Sequence, residues 1–213
     1  MQLEQIYTHI DHTVLKQTTT WAQVQKLCDE AISGKAASVC IPPCYVAKAK
    51  AYTNGAMPIC TVIGFPNGYQ TTMVKLVETK EALANGADEI DMVINLCDVK
   101  NGDWDKVAHE IKALKNACGN RVLKVIVETC YLTEDEKVRL CKIVTDAKAD
   151  YIKTSTGFGS AGAMIEDVTL FRKECGSEVK IKAAGGIRTV EDAEKMLEAG
   201  ADRLGSSALL AQS

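Results

Sequence analysis

The chain has 213 residues, 46% hydrophobic and 5% aromatic, with a formal net charge of −3. That is enough apolar material for one sizeable core. The lack of a basic stripe and the scarcity of aromatic residues exclude a nucleic-acid partner, and no apolar run reaches the ~18 residues of a membrane span.

Residues 9–15 (His-Ile-Asp-His-Thr-Val-Leu) alternate as a first strand does. Thr20, with Gln23 three residues on, forms a capping box that opens a helix to Ser33, with Val24, Leu27, Cys28 and Ile32 as its apolar stripe. Residues 37–41 read as strand two, stopped by Pro42-Pro43, and 44–54 as a short helix. Strand three covers 58–63. A helix over 71–85 is expected to turn Val74, Val77 and Leu83 inward, and strand four follows over 88–95. The pattern continues with a helix over 103–118, a strand over 121–128, and a helix from the capping box Thr133/Glu136 to Ala147. Then come a strand ending at Lys153, a helix over 165–175, a strand over 179–183, a helix over 189–199 and a strand over 203–205. A last short helix is expected from Ser206.

Eight strands alternating with helices predict a parallel α/β fold, and eight units favour a closed (β/α)8 TIM barrel over an open sheet. With no linker or change of composition, one barrel domain over 1–213 with a short N-terminal extension is expected. A weak repeat supports this. Ala87-Asp88-Glu89-Ile90-Asp91 is echoed by Ala149-Asp150-Tyr151-Ile152-Lys153 and Ala201-Asp202-Arg203-Leu204-Gly205, and more faintly by Ala36-Ala37-Ser38-Val39-Cys40. If the copies are equivalent, Cys40, Asp91, Lys153 and Gly205 line the inner rim at the C-terminal face, where barrels build active sites.

The nine cysteines are odd in number and contain no CxxC, and the N-terminus lacks the build of a signal peptide. A disulfide framework is therefore disfavoured and a soluble, cytoplasmic protein expected. His9, His12 and His109 stand in no metal-binding spacing, so neither a structural metal nor a cofactor is expected.

Three ionisable residues sit in otherwise apolar strands: Asp91, Lys153 and Lys182. A lysine at the mouth of a buried strand meets a desolvation cost as a cation, which lowers its pKa and frees its lone pair. A lysine there can also simply reach solvent along its stem. Strands six and seven are neighbours in a barrel, so Lys153 and Lys182 are expected close together, one pushed toward neutrality by the other. A neutral amine adds to a carbonyl to give an imine. Asp91, across the site, would manage protons with Lys182, or else serve as a structural partner to a lysine. Lys124 is ambiguous between this cluster and its surroundings, and Lys180 is expected at the bottom edge. Phosphate signals come from the small residues of 154–159, from Gly185-Gly186 after strand seven and from Gly205-Ser206-Ser207 after strand eight.

The segments Tyr151-Ile-Lys-Thr-Ser-Thr-Gly-Phe-Gly159, Lys182-Ala-Ala-Gly-Gly-Ile-Arg188, Glu89-Ile-Asp-Met-Val-Ile-Asn95 and Thr61-Val-Ile-Gly-Phe-Pro66 closely resemble deoxyribose-phosphate aldolase, and the resemblance runs from about Ile10 to Ser207. It implies a class I aldolase that reversibly cleaves 2-deoxy-D-ribose 5-phosphate to D-glyceraldehyde 3-phosphate and acetaldehyde. It further implies Lys153 as the Schiff-base lysine, Asp91 and Lys182 as the proton-transfer pair, and Gly157, Gly185, Gly186 and Ser207 as phosphate-binding positions. Asp11 and Thr156 match positions near the substrate hydroxyls, Cys40 matches a cysteine near the site, and family habit implies a homodimer.

Three departures stand out. Ala208 replaces the second serine that often follows strand eight, leaving Ser206 as a substitute. Phe158 replaces a lysine found in some members, and the sequence ends at Ser213 without their tail tyrosine. Another phosphosugar lyase or isomerase on the same fold, or a phosphometabolite-binding protein without catalysis, are the competing readings.

Overall fold

The computed structural model describes residues 2–210. Its eight strands are β1 (Ile10–Thr13), β2 (Ser38–Ile41), β3 (Ile59–Ile63), β4 (Glu89–Val93), β5 (Val122–Ile126), β6 (Tyr151–Lys153), β7 (Lys180–Ala184) and β8 (Arg203–Ser206). They pair in parallel in chain order, and β8 returns to β1 to close the barrel. The fold is the expected (β/α)8 barrel. Its outer helices are α2 (Trp21–Ser33), α3 (Val46–Thr53), α4 (Thr72–Ala84), α6 (Trp104–Cys118), α7 (Glu134–Asp146), α8 (Ile165–Glu174) and α9 (Val190–Glu198). The N-terminal extension forms α1 (Leu3–Tyr7), which packs against α9, and a short α5 (Leu96–Asn101) follows β4. The helix expected from Ser206 is absent over 206–209, and its end lies outside the described residues. Among the described residues no helix is long and apolar enough to cross a membrane.

Both capping boxes read from the sequence are formed. The Thr20 hydroxyl accepts from the Gln23 amide while Gln23 accepts from the Thr20 amide, and Thr133 and Glu136 do the same. The main core lies between the strands and the helices, where Ile10, Ile41, Ile59, Ile90, Val125 and Ile181 are all fully buried. Each such side chain contributes ~1.5–3 kcal/mol.

Two helix faces differ from expectation. On α2, Ile32 is exposed and Ala31 takes the buried place. On α4, Val74 and Val77 are 46% and 58% exposed and Leu83 is partly buried, whereas Lys75, Thr79 and Ala82 face inward. The cause is Lys75, whose ammonium donates to Val93 O (2.8 Å) and Glu110 Oε1 (2.7 Å). Its stem runs beside Gly64, where a Cβ would stand 2.8 Å from Lys75 Cε. A hydropathy pattern counts lysine as polar and so turned the helix the wrong way.

The repeat has a physical basis at the bottom of the barrel. In three copies its aspartate accepts from an amide in the first two residues of the preceding strand: Asp88 from Ile59 (2.9 Å), Asp150 from Leu123 (2.7 Å) and Asp202 from Ile181 (2.8 Å). Each is also paired with a cation from a nearby helix, Lys50, Lys115 or Arg172. The motif therefore stitches neighbouring strands in register.

Alternation along the strands then sorts the interior into layers of four, each from alternate strands, and below a top layer of Thr13, Val62, Ile126 and Ala184 lie three more. From the bottom these are Ser38, Glu89, Tyr151 and Arg203; then Asp11, Cys60, Lys124 and Lys182; then Cys40, Asp91, Lys153 and Gly205. Branched aliphatics usually fill such layers, yet none of these twelve is Val, Ile or Leu. Below its top layer the barrel has a polar interior inside an apolar jacket.

Candidate active site

The upper two of these three layers build the site. Lys153 and Lys182 are register partners on β6 and β7, and Asp91 and Lys124 are register partners on β4 and β5. Asp91 is not across the site from the two lysines but between them. Its Oδ2 accepts from Lys153 Nζ and from Lys182 Nζ, each at 2.7 Å. Its Oδ1 accepts from Lys124 Nζ (2.9 Å) and the Cys60 thiol (3.1 Å).

The network continues downward. Asp11 Oδ2 accepts from Lys182 (2.5 Å), and Asp11 Oδ1 accepts from Ser38 Oγ (2.7 Å) and Arg203 Nη1 (2.5 Å). Glu89 pairs with Lys124 and Arg203. Burial alone would push the Asp91 and Asp11 carboxyls up, but the surrounding cations outweigh it. Lys124, Lys153 and Lys182 hold Asp91 well below its ordinary value of 3.8, and Lys124, Lys182 and Arg203 hold Asp11 low likewise. Burial would also lower the Lys182 and Lys124 ammoniums, but Asp11 and Asp91 outweigh it and hold both high. Lys182 is thus a firmly held cation. Four cations, Lys124, Lys153, Lys182 and Arg203, face three carboxylates, Asp11, Glu89 and Asp91, so the fully ionised cluster carries one excess positive charge. Among the described residues Lys153 is bound least, with one carboxylate partner where the other three cations each have at least two.

Above Lys153 opens a cleft of about 450 Å³, lined among others by Thr156, Gly157, Gly185, Gly186, Ser206 and Ser207. Gly157, Gly185 and Gly186 have φ of +85°, +85° and +83°, a conformation that leaves glycine at little cost. A Cβ at Gly157 or Gly186 would meet open space, so their backbones face the cleft bare. Ser207 is exposed at this wall, whereas the Ser206 hydroxyl is committed, donating to Ile187 O (2.9 Å) and accepting from Ala208 N (3.2 Å). Ser206 therefore does not substitute for the serine replaced by Ala208; it ties the β8 loop to the β7 loop. Phe158 stacks edge-on against Phe65 with ring centroids 5.3 Å apart.

The positions expected from the sequence divide into two groups. Lys153, Thr156, Gly157, Gly185, Gly186, Gly205 and Ser207 line the cleft. Asp91, Lys182, Lys124, Asp11 and Cys40 are fully buried beneath it. Asp11 is thus the hub of the lower network, not a wall of the cleft, and Lys124 belongs to the buried cluster. Cys40 is the register partner of Cys60 on β3, and both are free thiols. Cys40, Cys60 and Asp91 place three ligand-type atoms within 4.8 Å of one another, but Asp91 is already bonded to three ammoniums, so a cation there would meet a positive surrounding. Lys180 is exposed at the bottom edge, as expected. Sequence reasoning missed Arg203, Glu89 and Glu128. The first two lie two residues before the rim position in the repeat, and strand alternation could have found them. Glu128 carries no such signal.

Comparison with known proteins places these features among aldolases. The model of the DeoC/LacD family aldolase matches residues 6–212. A deoxyribose-phosphate aldolase from Clostridioides difficile is 56% identical over 207 residues, covering 97% of this chain and 94% of the relative. A solved Coccidioides immitis structure superposes with a TM-score of 0.94 at 43% identity, covering 98% of this chain and 84% of the other. A deoxyribose phosphate aldolase from Aeropyrum pernix, described as tetrameric, gives 0.91 at 31% identity over 98% and 89%.

Proposed function

The chain belongs to the DeoC/LacD family of aldolases, and we propose that it cleaves 2-deoxy-D-ribose 5-phosphate reversibly to D-glyceraldehyde 3-phosphate and acetaldehyde through a Schiff base on Lys153. The observation that carries this is one carboxylate oxygen, Asp91 Oδ2, within 2.7 Å of both lysine amines at the floor of a glycine-walled cleft.

Lys153 enters as the free amine, having a single carboxylate contact to give up. Its lone pair attacks C1 of the open-chain sugar, and loss of water leaves an iminium, an electron sink. Removal of the C3 hydroxyl proton breaks the C2–C3 bond. That electron pair moves toward nitrogen, giving an enamine and releasing glyceraldehyde 3-phosphate. Protonation at C2 and hydrolysis then free acetaldehyde and restore Lys153. Asp91 Oδ2, bonded to both amines, is placed to carry protons between Lys182 and the Lys153 adduct, directly or through water. The bare backbone at Gly157 and Gly186, with Gly185 between the two loops and Ser207 beside them, suits an anion, so the phosphate end is assigned there. The same reading includes a cytoplasmic location, substrates limited to small phosphosugars and aldehydes, and a homodimer.

Borohydride reduction in the presence of acetaldehyde, followed by peptide mass mapping, tests it. The expected result is a two-carbon adduct on Lys153. An adduct on another lysine would overturn the assignment, and tight phosphate binding with no adduct would favour a binding protein.

A further inference from the structure

The loop after β6 joins the nucleophile to the phosphate wall: it leaves the strand at Lys153, and Thr156 and Gly157 line the cleft. This loop is wrapped around one buried carboxylate. Glu128 is 2% exposed, lies just past β5, and has φ 55° and ψ 67°, a left-handed conformation uncommon outside glycine. Its Oε1 accepts from the Thr156 amide (3.1 Å) and its Oε2 from the Thr156 hydroxyl. The Thr156 hydroxyl in turn accepts from the Phe158 amide (3.0 Å). A Cβ at Gly159 would stand 3.1 Å from Glu128 Cδ and 2.9 Å from Cys130 Sγ, so the loop closes onto the carboxylate with no room to spare. On either side of Glu128, the Val127 amide donates to Lys153 O (3.0 Å) and the Thr129 amide to Thr154 O (2.9 Å).

We propose that Glu128 is a positioning residue that sets the span between the Lys153 amine and the phosphate cradle. The argument rests on the aldolase reading above. The substrate has a fixed length between its C1 carbonyl and its 5-phosphate, so both ends react productively only when nucleophile and cradle keep a fixed separation. Strand pairing fixes Lys153, but Gly157 lies four residues beyond it in a stretch without helix or strand. Glu128 supplies the missing constraint, gripping the residue immediately before Gly157 at both its backbone and its side chain. Strain held at residue 128 by surrounding contacts is typical of functional sites. Thr156, matched in sequence to a substrate-hydroxyl position, has its own hydroxyl committed to this carboxylate.

Because acetaldehyde has no phosphate, trapping it on Lys153 reports the nucleophile alone, whereas cleavage of deoxyribose 5-phosphate reports nucleophile and cradle together. Glu128→Ala is expected to lower kcat/KM for cleavage about a hundredfold, the cost of an ångström-scale misplacement, to weaken competitive inhibition by inorganic phosphate, and to retain acetaldehyde trapping. Glu128→Gln keeps one acceptor for the Thr156 amide and should fall between it and the wild type. Thr156→Val, nearly isosteric, should follow Glu128→Ala even if that variant folds poorly by circular dichroism. Cleavage unchanged in Glu128→Ala, or trapping and cleavage falling in parallel in Thr156→Val, would overturn the proposal. A wild-type chain that traps nothing on Lys153 would remove the aldolase reading and this inference with it.

Discussion

Asp91 Oδ2 is shared by Lys153 and Lys182 at equal distances of 2.7 Å, so the two amines meet through a carboxylate, not face to face. Both ammoniums therefore belong to one cluster of charges, with Asp91 lying between them. Four cations against three carboxylates leave an excess of one, which vanishes when Lys153 is neutral.

Lys182→Met tests this. It removes one cation and leaves three against three. Cleavage should drop by ~10²–10⁴, the usual contribution of a proton-transfer group. The pH at which borohydride trapping reaches half its maximal rate should also move upward. An unchanged pH profile would count against charge balance as the coupling.

Acid stability follows from the depressed carboxyls. Asp11 and Asp91 have folded-state values below the unfolded 3.8, so they contribute stability above that pH, and it is lost as pH falls toward their folded values. Denaturation midpoints should be steady on descending to about pH 4 and then fall. Asp11→Asn should lower the neutral-pH midpoint and flatten the acid decline.

Lys75 and Glu110 form a second buried pair, at 2.7 Å, between α4 and α6. Burial, the largest influence on each, lowers the lysine and raises the glutamate despite their attraction. Lys75→Met leaves a buried carboxylate without its ion partner and should cost ~3–5 kcal/mol. The double variant Lys75→Met with Glu110→Leu should recover most of that, since a well-packed apolar pair often equals a buried ion pair. Urea denaturation of the three variants decides it; a double variant as weak as the single would show the ion pair itself to be indispensable.

Gly186→Ala probes the proposed phosphate wall. With φ +83° an alanine costs ~1–2 kcal/mol of backbone strain, and its methyl would project into open cleft rather than into protein. KM for deoxyribose 5-phosphate and the inhibition constant for inorganic phosphate should both rise, with acetaldehyde trapping intact. Unaltered phosphate inhibition would place the anion elsewhere.

Much of the fold was legible because periodicity and capping are local. Thr20 with Gln23 and Thr133 with Glu136 close their helices within one turn, and the repeat marks strand starts because its aspartates bond the adjoining strand. Errors came where one residue broke the hydropathy code. Lys75 lies fully buried because Gly64 and Glu110 accommodate it, and neither neighbour is local to α4. Asp11 gave a similar surprise: its strand position was read correctly, but its partners Ser38, Lys182 and Arg203 come from three other strands.

The sequence by itself determined that this chain is an eight-unit barrel with Lys153, Asp91 and Lys182 on inward strand positions, because alternation along a strand depends only on neighbouring residues. Only the tertiary structure decided who bonds whom. Closure of the barrel brings together residues 62, 91 and 171 positions apart: Lys153 with Asp91, Lys182 with Asp91, and Lys182 with Asp11. Separations of that size leave no trace in local pattern. The same holds for Glu128, whose grip on Thr156 depends on a left-handed backbone that its sequence neighbours do not announce.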